Sequence, residues 1–235
     1  TTMDRAYLCN RHNEIVHGKT NNFTMFGSIT LNKVVGGINP KAVDVALRLG
    51  AKVVWLPTQS AKNHMQKMNQ DLSQSVEVVK DGKIVPELRS VLELIRDHNA
   101  VLGTAHIAPE EIFTVVEAAR DMGVKNIVVT HPEWWIVGMS HEDQLRLVKD
   151  YDVILERCYA QNMGGGKYKS NLADNLELIK EVGYKNVMVG GQTENPHWEL
   201  ALAEYMQYLV DHGIPEEHVY HMTHTIPAKL LGIEE

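Results

Sequence analysis

The sequence predicts an α/β fold of the TIM type, a (β/α) barrel of parallel strands. Strand-like and helix-like segments alternate with a repeat of roughly 25 residues. The strand-like segments are short apolar runs, which are typical of parallel strands buried on both faces. No G-x-G-x-x-G turn of a dinucleotide-binding fold is present. Only about six strands are evident, whereas a closed barrel has eight, so we expect an incomplete barrel.

Composition narrows the class of protein. Of 235 residues, 44% are hydrophobic and 23% are charged, which suits a globular domain with a substantial core. A net charge of −7 without a basic stripe argues against nucleic acid or an anionic membrane as a partner. No apolar run approaches the ~20 residues of a membrane span, and no signal-peptide pattern is evident. Cys9 and Cys158 lie in different contexts, which predicts reduced thiols and a cytoplasmic protein.

The first half of the chain opens on a helix and then alternates strands with helices. Asn39 as N-cap, Pro40 at the first helical position and Gly50 as the stop define the second helix. We expect one domain, residues 1–235, with a polar insertion at about 59–86 in which Asp81-Gly82 joins two short strands. The other predicted elements here are helix 3–17, strand 23–31, strand 52–56, helix 87–98 and strand 101–106.

The second half continues the same alternation. Pro109 begins a helix that Gly123 ends, and acidic residues in its first turn favour the helix dipole. Ser140 and Asp143 resemble a capping box, with aspartate in the third position. The remaining predicted elements are strand 126–131, a helix from 140, strand 152–156, helix 172–182, strand 186–190 and helices 197–212 and 216–231.

Two consecutive predicted strands end in histidine, at His106 and His131. The carboxyl ends of parallel strands are where α/β folds place their chemistry. We therefore interpret the two residues as ligands of a shared metal ion, since neutral imidazole suits Zn²⁺, Fe²⁺ or Mn²⁺. The alternative is that both are structural histidines bonded to backbone carbonyls.

Four further residues are candidates for the same site. Glu156, which we expect to end its strand, suits a carboxylate ligand, a partner that orients a histidine, or a general base; a buried ion pair with Arg157 is the alternative. Gln192 and Asn32 each follow a strand and suit a substrate contact or a turn. His64, in the insertion, is either a lid residue that contacts substrate or an exposed loop histidine.

Several segments resemble the DUF6282 family, in order and over nearly the whole chain. They are Phe26–Asn32, Gly36–Val43, Ala51–Thr58, Val101–His106, Val129–Pro132, Ile154–Glu156 and Pro227–Gly232. The family resembles a branch of the amidohydrolase-like, metal-dependent TIM-barrel hydrolases, and its reaction is uncharacterised. The resemblance implies a hydrolase of a small-molecule amide, ester or lactam-like bond that uses Zn²⁺, with Mn²⁺ or Fe²⁺ as alternatives. His106 and His131 are then metal ligands, Glu156 is catalytic, and Gln192, Asn32 and His64 bind substrate.

The sequence departs from the family pattern in two places. Members usually open with an Asp-x-His-x-His strand, which is not found here, so we expect an N-terminal β-α-β segment to be lacking. Val189 precedes the Gly-Gln element where members tend to carry an aspartate. A metal-dependent lyase or decarboxylase, an inactive barrel that serves as a binding or scaffold subunit, and a fragment of a longer protein therefore stay open. Unpaired strand edges predict a homo-oligomer, or coverage by the insertion or the opening helix.

Overall fold

The computed structural model describes residues 3–18, 24–159, 171–191 and 200–233. The chain divides into two compact units. The first comprises Thr1–Ile107 and Thr114–Asn126, and the second comprises Ala108–Phe113 and Ile127–Glu235. The prediction of one domain with an insertion at about 59–86 stays a prediction.

Helices and strands alternate as the sequence predicts. The helices are α1 (Met3–His17), α2 (Pro40–Arg48), α3 (Lys62–Lys67), α4 (Pro86–Asp97), α5 (Pro109–Asp121), α6 (His141–Tyr151), α7 (Leu172–Val182), α8 (Ala201–Asp211), α9 (Glu216–Tyr220) and α10 (Ile226–Leu231). The strands are β1 (Gly27–Thr30), β2 (Ala51–Trp55), β3 (Val79–Lys80), β4 (Lys83–Ile84), β5 (Val101–Gly103), β6 (Asn126–Thr130), β7 (Ile154–Tyr159) and β8 (Val187–Gly191).

Helix starts follow the predicted capping chemistry. The Asn39 side chain accepts a hydrogen bond of 3.2 Å from the Ala42 backbone N–H, and Pro40 occupies the first turn of α2. Ser140 Oγ accepts one of 3.1 Å from the Asp143 N–H. Each cap satisfies a backbone donor that has no partner within the helix. Both predicted helix starts are confirmed.

In the first unit, β1, β2 and β5 form parallel pairs in the order β1-β2-β5. The register aligns Ile29, Val54 and Leu102 across the three strands, and all three side chains are buried. Helices α2 and α4 pack beside these strands. Apolar residues on both faces are required because the strands are covered rather than exposed to water.

Strand β5 is shorter than predicted and ends at Gly103 rather than at His106. Gly103 lies opposite Trp55, and a Cβ added to it would lie 2.1 Å from Trp55 Cε3. Beyond it the backbone of Ala105 adopts a left-handed conformation, with φ of 53°. The chain therefore leaves the strand direction three residues before the predicted end, and His106 lies in the loop that follows β5.

In the second unit, β6, β7 and β8 form parallel pairs in the order β6-β7-β8. Val129, Leu155 and Val187 align across the three strands and are buried. The core on the helical side of this sheet draws mainly on α7, α8 and β8, with buried members Leu176, Ile179, Val187, Val189, Tyr205, Leu209, Ile214, Val219 and Met222.

The stretch between β2 and α4 has structure of its own. Helix α3 comes first, and β3 and β4 then pair antiparallel. Asp81 and Gly82 join these strands with φ values of 52° and 73°, the two positive φ angles that a type I′ hairpin turn requires. The predicted Asp-Gly hairpin is confirmed.

The fold class is α/β, as predicted. The described residues contribute six strands in parallel pairing, three in each unit, fewer than the eight of a closed TIM barrel. The opening helix α1 reaches the start of β1, because the Asn10 amide donates to Met25 O and accepts from Met25 N, both at 2.7 Å. No helix within the described ranges combines the length and apolarity needed to cross a membrane.

Candidate functional site

In the first unit, the backbone of His106 is held on two sides. Its N–H donates to Pro57 O at 3.2 Å, in the loop after β2. Its carbonyl oxygen accepts a hydrogen bond of 3.1 Å from Asn63 Nδ2 in α3. The loop after β5 is thus attached to both the β2 loop and the helix of the insertion.

The imidazole of His106 contacts the imidazole of His64. The two Nδ1 atoms lie 2.8 Å apart, and the ring planes differ by 13°. His64 is only 8% exposed, and burial lowers its pKa from the usual value of 6.5. The alternative of an exposed loop histidine is wrong, because α3 places His64 against His106.

Asn32 organises the loop that leads into α3. Its Oδ1 accepts from Thr58 N at 3.0 Å and from Ser60 N at 3.1 Å, and its Nδ2 donates to Thr58 Oγ1 at 2.7 Å. The side chain therefore ties the end of β1 to the end of β2. Its role as a substrate contact stays a prediction.

In the second unit, His131 directly follows β6. It is 7% exposed, and its φ of 27° lies in a region that non-glycine residues rarely adopt. The Trp134 ring meets its imidazole edge-on, with centroids 4.9 Å apart. Strain of this kind persists where the surrounding structure enforces it, and it clusters at functional sites.

Glu156 does not end its strand, and this prediction is wrong. Strand β7 continues to Tyr159, because Arg157, Cys158 and Tyr159 keep pairing with β8. The Arg157 side chain bonds to residues of α6 and α7. Since successive side chains of a strand alternate between faces, Glu156 points to the face away from these helices.

The environment of Glu156 favours its neutral form. Burial, and then the negative charge of Glu133, raise the pKa of Glu156 from 4.5 to about 7. The residue aligns with Thr130 on one neighbouring strand and Met188 on the other. A carboxyl group with this pKa exchanges a proton readily near neutral pH.

A buried arginine lies on the opposite face of β7. Arg157 is fully buried, and its Nε donates to Asn175 Oδ1 at 2.8 Å while Nη1 donates to Gln144 Oε1 at 2.9 Å. Nη2 pairs with Asp174 Oδ2. The other oxygen of Asp174 lies 3.0 Å from His141 Nε2. Among the described residues, the ion pairs of Arg157 involve Asp174 and Glu133, and not Glu156 as the alternative interpretation supposed.

Glu133 is a buried carboxylate that the sequence reasoning missed. Its Oε1 accepts from Cys158 N at 2.9 Å, and its Oε2 lies 3.7 Å from Arg157 Nε. Burial raises its pKa, and the Arg157 charge opposes that rise. The only sequence signal is an acidic residue two positions after His131, within a turn that contains Pro132.

The family resemblance implies a bound metal ion, so the described side chains are compared with the ligand set that such an ion requires. Within the described ranges, no cluster of three or more His, Cys, Asp or Glu side chains is arranged to hold one. The geometry of His106 does suit a single ligand, since metal-bound histidines usually hydrogen-bond through their second ring nitrogen. His131 belongs to the other unit, and Gln192 lies outside the described residues.

Comparison with known proteins gives a family and a set of similar folds. The profile of DUF6282, a family of unknown function, matches residues 1–156. A search of functionally curated proteins found no match.

Solved structures match over nearly the full chain. An amidohydrolase from Pseudomonas aeruginosa is 13% identical with a TM-score of 0.61, covering 97% of this chain and 76% of its own. A metallo peptidase from Rhodobacter sphaeroides is 12% identical with a TM-score of 0.62, covering 98% and 67%. A 2,6-dihydroxybenzoate decarboxylase from Rhizobium is 10% identical with a TM-score of 0.56, covering 100% and 80%. At these identities the likenesses show the fold alone, an α/β fold shared with these three enzymes.

Proposed function

The chain belongs to the DUF6282 family, and from its site we propose a metal-dependent hydrolase that acts on a small-molecule amide, ester or lactam-like bond. One observation carries the proposal: His106, just beyond β5, has its Nδ1 2.8 Å from His64 Nδ1. A metal-bound histidine usually hydrogen-bonds through its second ring nitrogen, and the His64 imidazole offers His106 such a partner. The names of two similar structures, an amidohydrolase and a metallo peptidase, also support hydrolysis.

The proposed ligands are His106 and His131, as neutral imidazoles. Zn²⁺ is the metal we expect first, with Mn²⁺ and Fe²⁺ as alternatives. When bound, such an ion polarises a carbonyl group and lowers the pKa of a water molecule. Gln192 and Asn32 are proposed substrate contacts. A cytoplasmic location and a homo-oligomer stay predictions.

Glu156 is the proposed general base. Its pKa of about 7 gives comparable amounts of the acid and base forms near neutral pH, which is the condition for efficient proton transfer. Its side chain lies on the face away from α6 and α7, and Glu133, the ion-pair partner of Arg157, is the neighbouring charge that helps to raise its pKa. No further side chain is needed to explain its raised pKa beyond burial and Glu133.

A second candidate is a metal-dependent lyase. It is favoured by the likeness to a decarboxylase, which the chain covers over 80% of that protein's length. A third, an inactive barrel with a binding role, is favoured because the described ranges hold no group of three metal-binding side chains. The same assay separates all three.

The test is turnover of small amides, esters, lactams and aromatic acids in ¹⁸O-labelled water by protein loaded with Zn²⁺, Mn²⁺ or Fe²⁺. We expect ¹⁸O to enter the carboxylate product of an amide, ester or lactam, and the activity to vanish with a chelator and return with metal. Release of carbon dioxide from an aromatic acid without ¹⁸O incorporation would instead identify a lyase. Metal-loaded protein that turns over no substrate would support the inactive barrel.

A further inference from the structure

Two buried polar atoms of the second unit have no hydrogen-bond partner among the described residues. They are Glu133 Oε2, in the turn after β6, and the hydroxyl of Tyr205, in α8. The Glu133 side chain is 1% exposed, and Tyr205 is 0% exposed. Burying such an oxygen without a hydrogen bond is costly, so native proteins nearly always supply a partner, either another protein group or an ordered water molecule.

Tyr205 lies on the side of β7 that carries the buried arginine. Arg157 and Tyr159 share one face of this strand, and the Tyr159 and Tyr205 ring centroids are 6.1 Å apart. Burial raises the pKa of Tyr205 well above its usual value of 10, while the Arg157 charge opposes that rise and the Glu133 charge adds to it. The hydroxyl therefore keeps its hydrogen at neutral pH and is a hydrogen-bond donor.

Glu133 Oε2 is attracted to Arg157 without being hydrogen-bonded to it. Its distance to Arg157 Nε is 3.7 Å, longer than the roughly 2.7–3.2 Å of an N–H···O hydrogen bond. That Nε already donates to Asn175 Oδ1 at 2.8 Å. The other carboxylate oxygen, Oε1, accepts from Cys158 N at 2.9 Å, so the carboxylate is held at one oxygen only. A polar contact longer than about 3.5 Å is commonly bridged by water.

We propose that one ordered water molecule bridges the Tyr205 hydroxyl and Glu133 Oε2, and so ties α8 to the turn after β6. The water accepts from the tyrosine O–H and donates one of its hydrogens to the carboxylate oxygen. Its second lone pair suits Arg157, whose Nη1 and Nη2 each carry two N–H groups and each make one hydrogen bond among the described residues. Buried waters typically make about three hydrogen bonds. Binding of this water requires neither a metal ion nor a substrate.

The charges around this position favour water over an ion. A cation bound there would lie beside the Arg157 guanidinium, and an anion would lie beside the Glu133 carboxylate, so either ion meets a repulsive charge in a buried environment. A neutral molecule that both donates and accepts hydrogen bonds satisfies the carboxylate oxygen and the tyrosine hydroxyl together. Water is the smallest molecule with this property, which suits a side-chain network that is fully buried at Arg157 and Tyr205.

The first test is a high-resolution crystal structure of the full-length wild-type protein. We expect one water molecule within about 3.2 Å of both Tyr205 Oη and Glu133 Oε2. A direct hydrogen bond between the hydroxyl and the carboxylate would overturn the proposal. So would another side chain that bonds to these two atoms, or a position between them without ordered water.

The second test is made in solution, where ¹⁷O magnetic relaxation dispersion counts the water molecules that stay bound for longer than the protein takes to tumble. We expect Tyr205→Phe, which removes only the hydroxyl, to lower that count by about one, because the water loses its donor in α8. The control Tyr208→Phe removes a hydroxyl from a partly buried position of the same helix and should leave the count unchanged. Equal counts in the wild-type protein and folded Tyr205→Phe would contradict the bridge. Should Tyr205→Phe not fold, the wild-type crystal structure still decides the matter.

Discussion

Replacing Arg157 with methionine is expected to lower the free energy of unfolding by about 3–5 kcal/mol. The side chain is fully buried, and its charge is the one that faces Glu133 Oε2, at 3.7 Å. No donor among the described residues hydrogen-bonds that oxygen. The variant therefore leaves a buried carboxylate without a counter-charge and removes the guanidinium donors to Gln144 Oε1 and Asn175 Oδ1. Urea denaturation followed by circular dichroism measures the loss.

Two further variants show whether the loss in the free energy of unfolding comes from the buried network or from the removal of any arginine. Arg48→Met removes an exposed ion pair with Asp44 and should cost less than about 1 kcal/mol. The double variant Glu133→Gln/Arg157→Met should lose less unfolding free energy than the two single variants lose together. The reason is that it no longer holds the unpaired Glu133 carboxylate that Arg157→Met alone leaves buried. A loss below about 1 kcal/mol for Arg157→Met would contradict the structural role assigned to this network.

Glu156→Gln is expected to reduce kcat about 10²–10⁴-fold, the usual contribution of a general base. In the wild-type protein, kcat/KM should rise with pH to half its maximum near 7, since the base acts in its ionised form and its pKa is about 7. Steady-state rates across pH measure both effects. The matched control is Glu177→Gln, an exposed glutamate of α7, which should keep its rate and its pH profile. A fully active Glu156→Gln variant would remove Glu156 from the proposed chemistry.

The same substitution should stabilise the protein in alkaline solution, so lost activity cannot be attributed to unfolding. A pKa raised from 4.5 to about 7 means that the folded state favours the protonated carboxyl. The contribution of this protonation to the free energy of unfolding is about 3 kcal/mol. It is fully present below about pH 4.5 and is lost as the pH rises through about 7. Glutamine carries no charge and avoids that loss. Glu156→Gln should thus be the more stable protein at about pH 8, with the advantage gone near pH 4.5; an equal difference at both would contradict the raised pKa.

Much of the fold could be predicted because its signals are local. The caps at Asn39 and Ser140 depend on residues within one turn, and the Asp81-Gly82 hairpin depends on two adjacent φ angles. Strand ends were predicted less well. Strand β5 ends early at Gly103, where Trp55 leaves no space for a side chain, and that contact joins residues distant in sequence.

The candidate site could be predicted only in part, because its contacts also join residues that are distant in sequence. His106 and His131 are candidates because each follows an apolar strand. His64 was placed in an insertion with polar neighbours, and its burial depends on a loop that Asn32 ties together from 26 and 28 residues away. The predicted strand stops at Glu156, whereas β7 continues through Arg157, because the charge of this arginine is neutralised by Asp174 and Glu133, neither of which is adjacent in sequence. Glu133 carried no pattern that distinguished it from a surface acid.

The proposal that His106 and His131 are ligands of a divalent metal ion is tested most directly by elemental analysis of the purified protein. After dialysis against Zn²⁺ and removal of the excess, we expect about one metal ion per chain. His106→Ala and His131→Ala should each lose it, while His98→Ala retains it and all three variants keep the wild-type circular dichroism spectrum. Metal content that both substitutions at His106 and His131 leave unchanged would contradict the account.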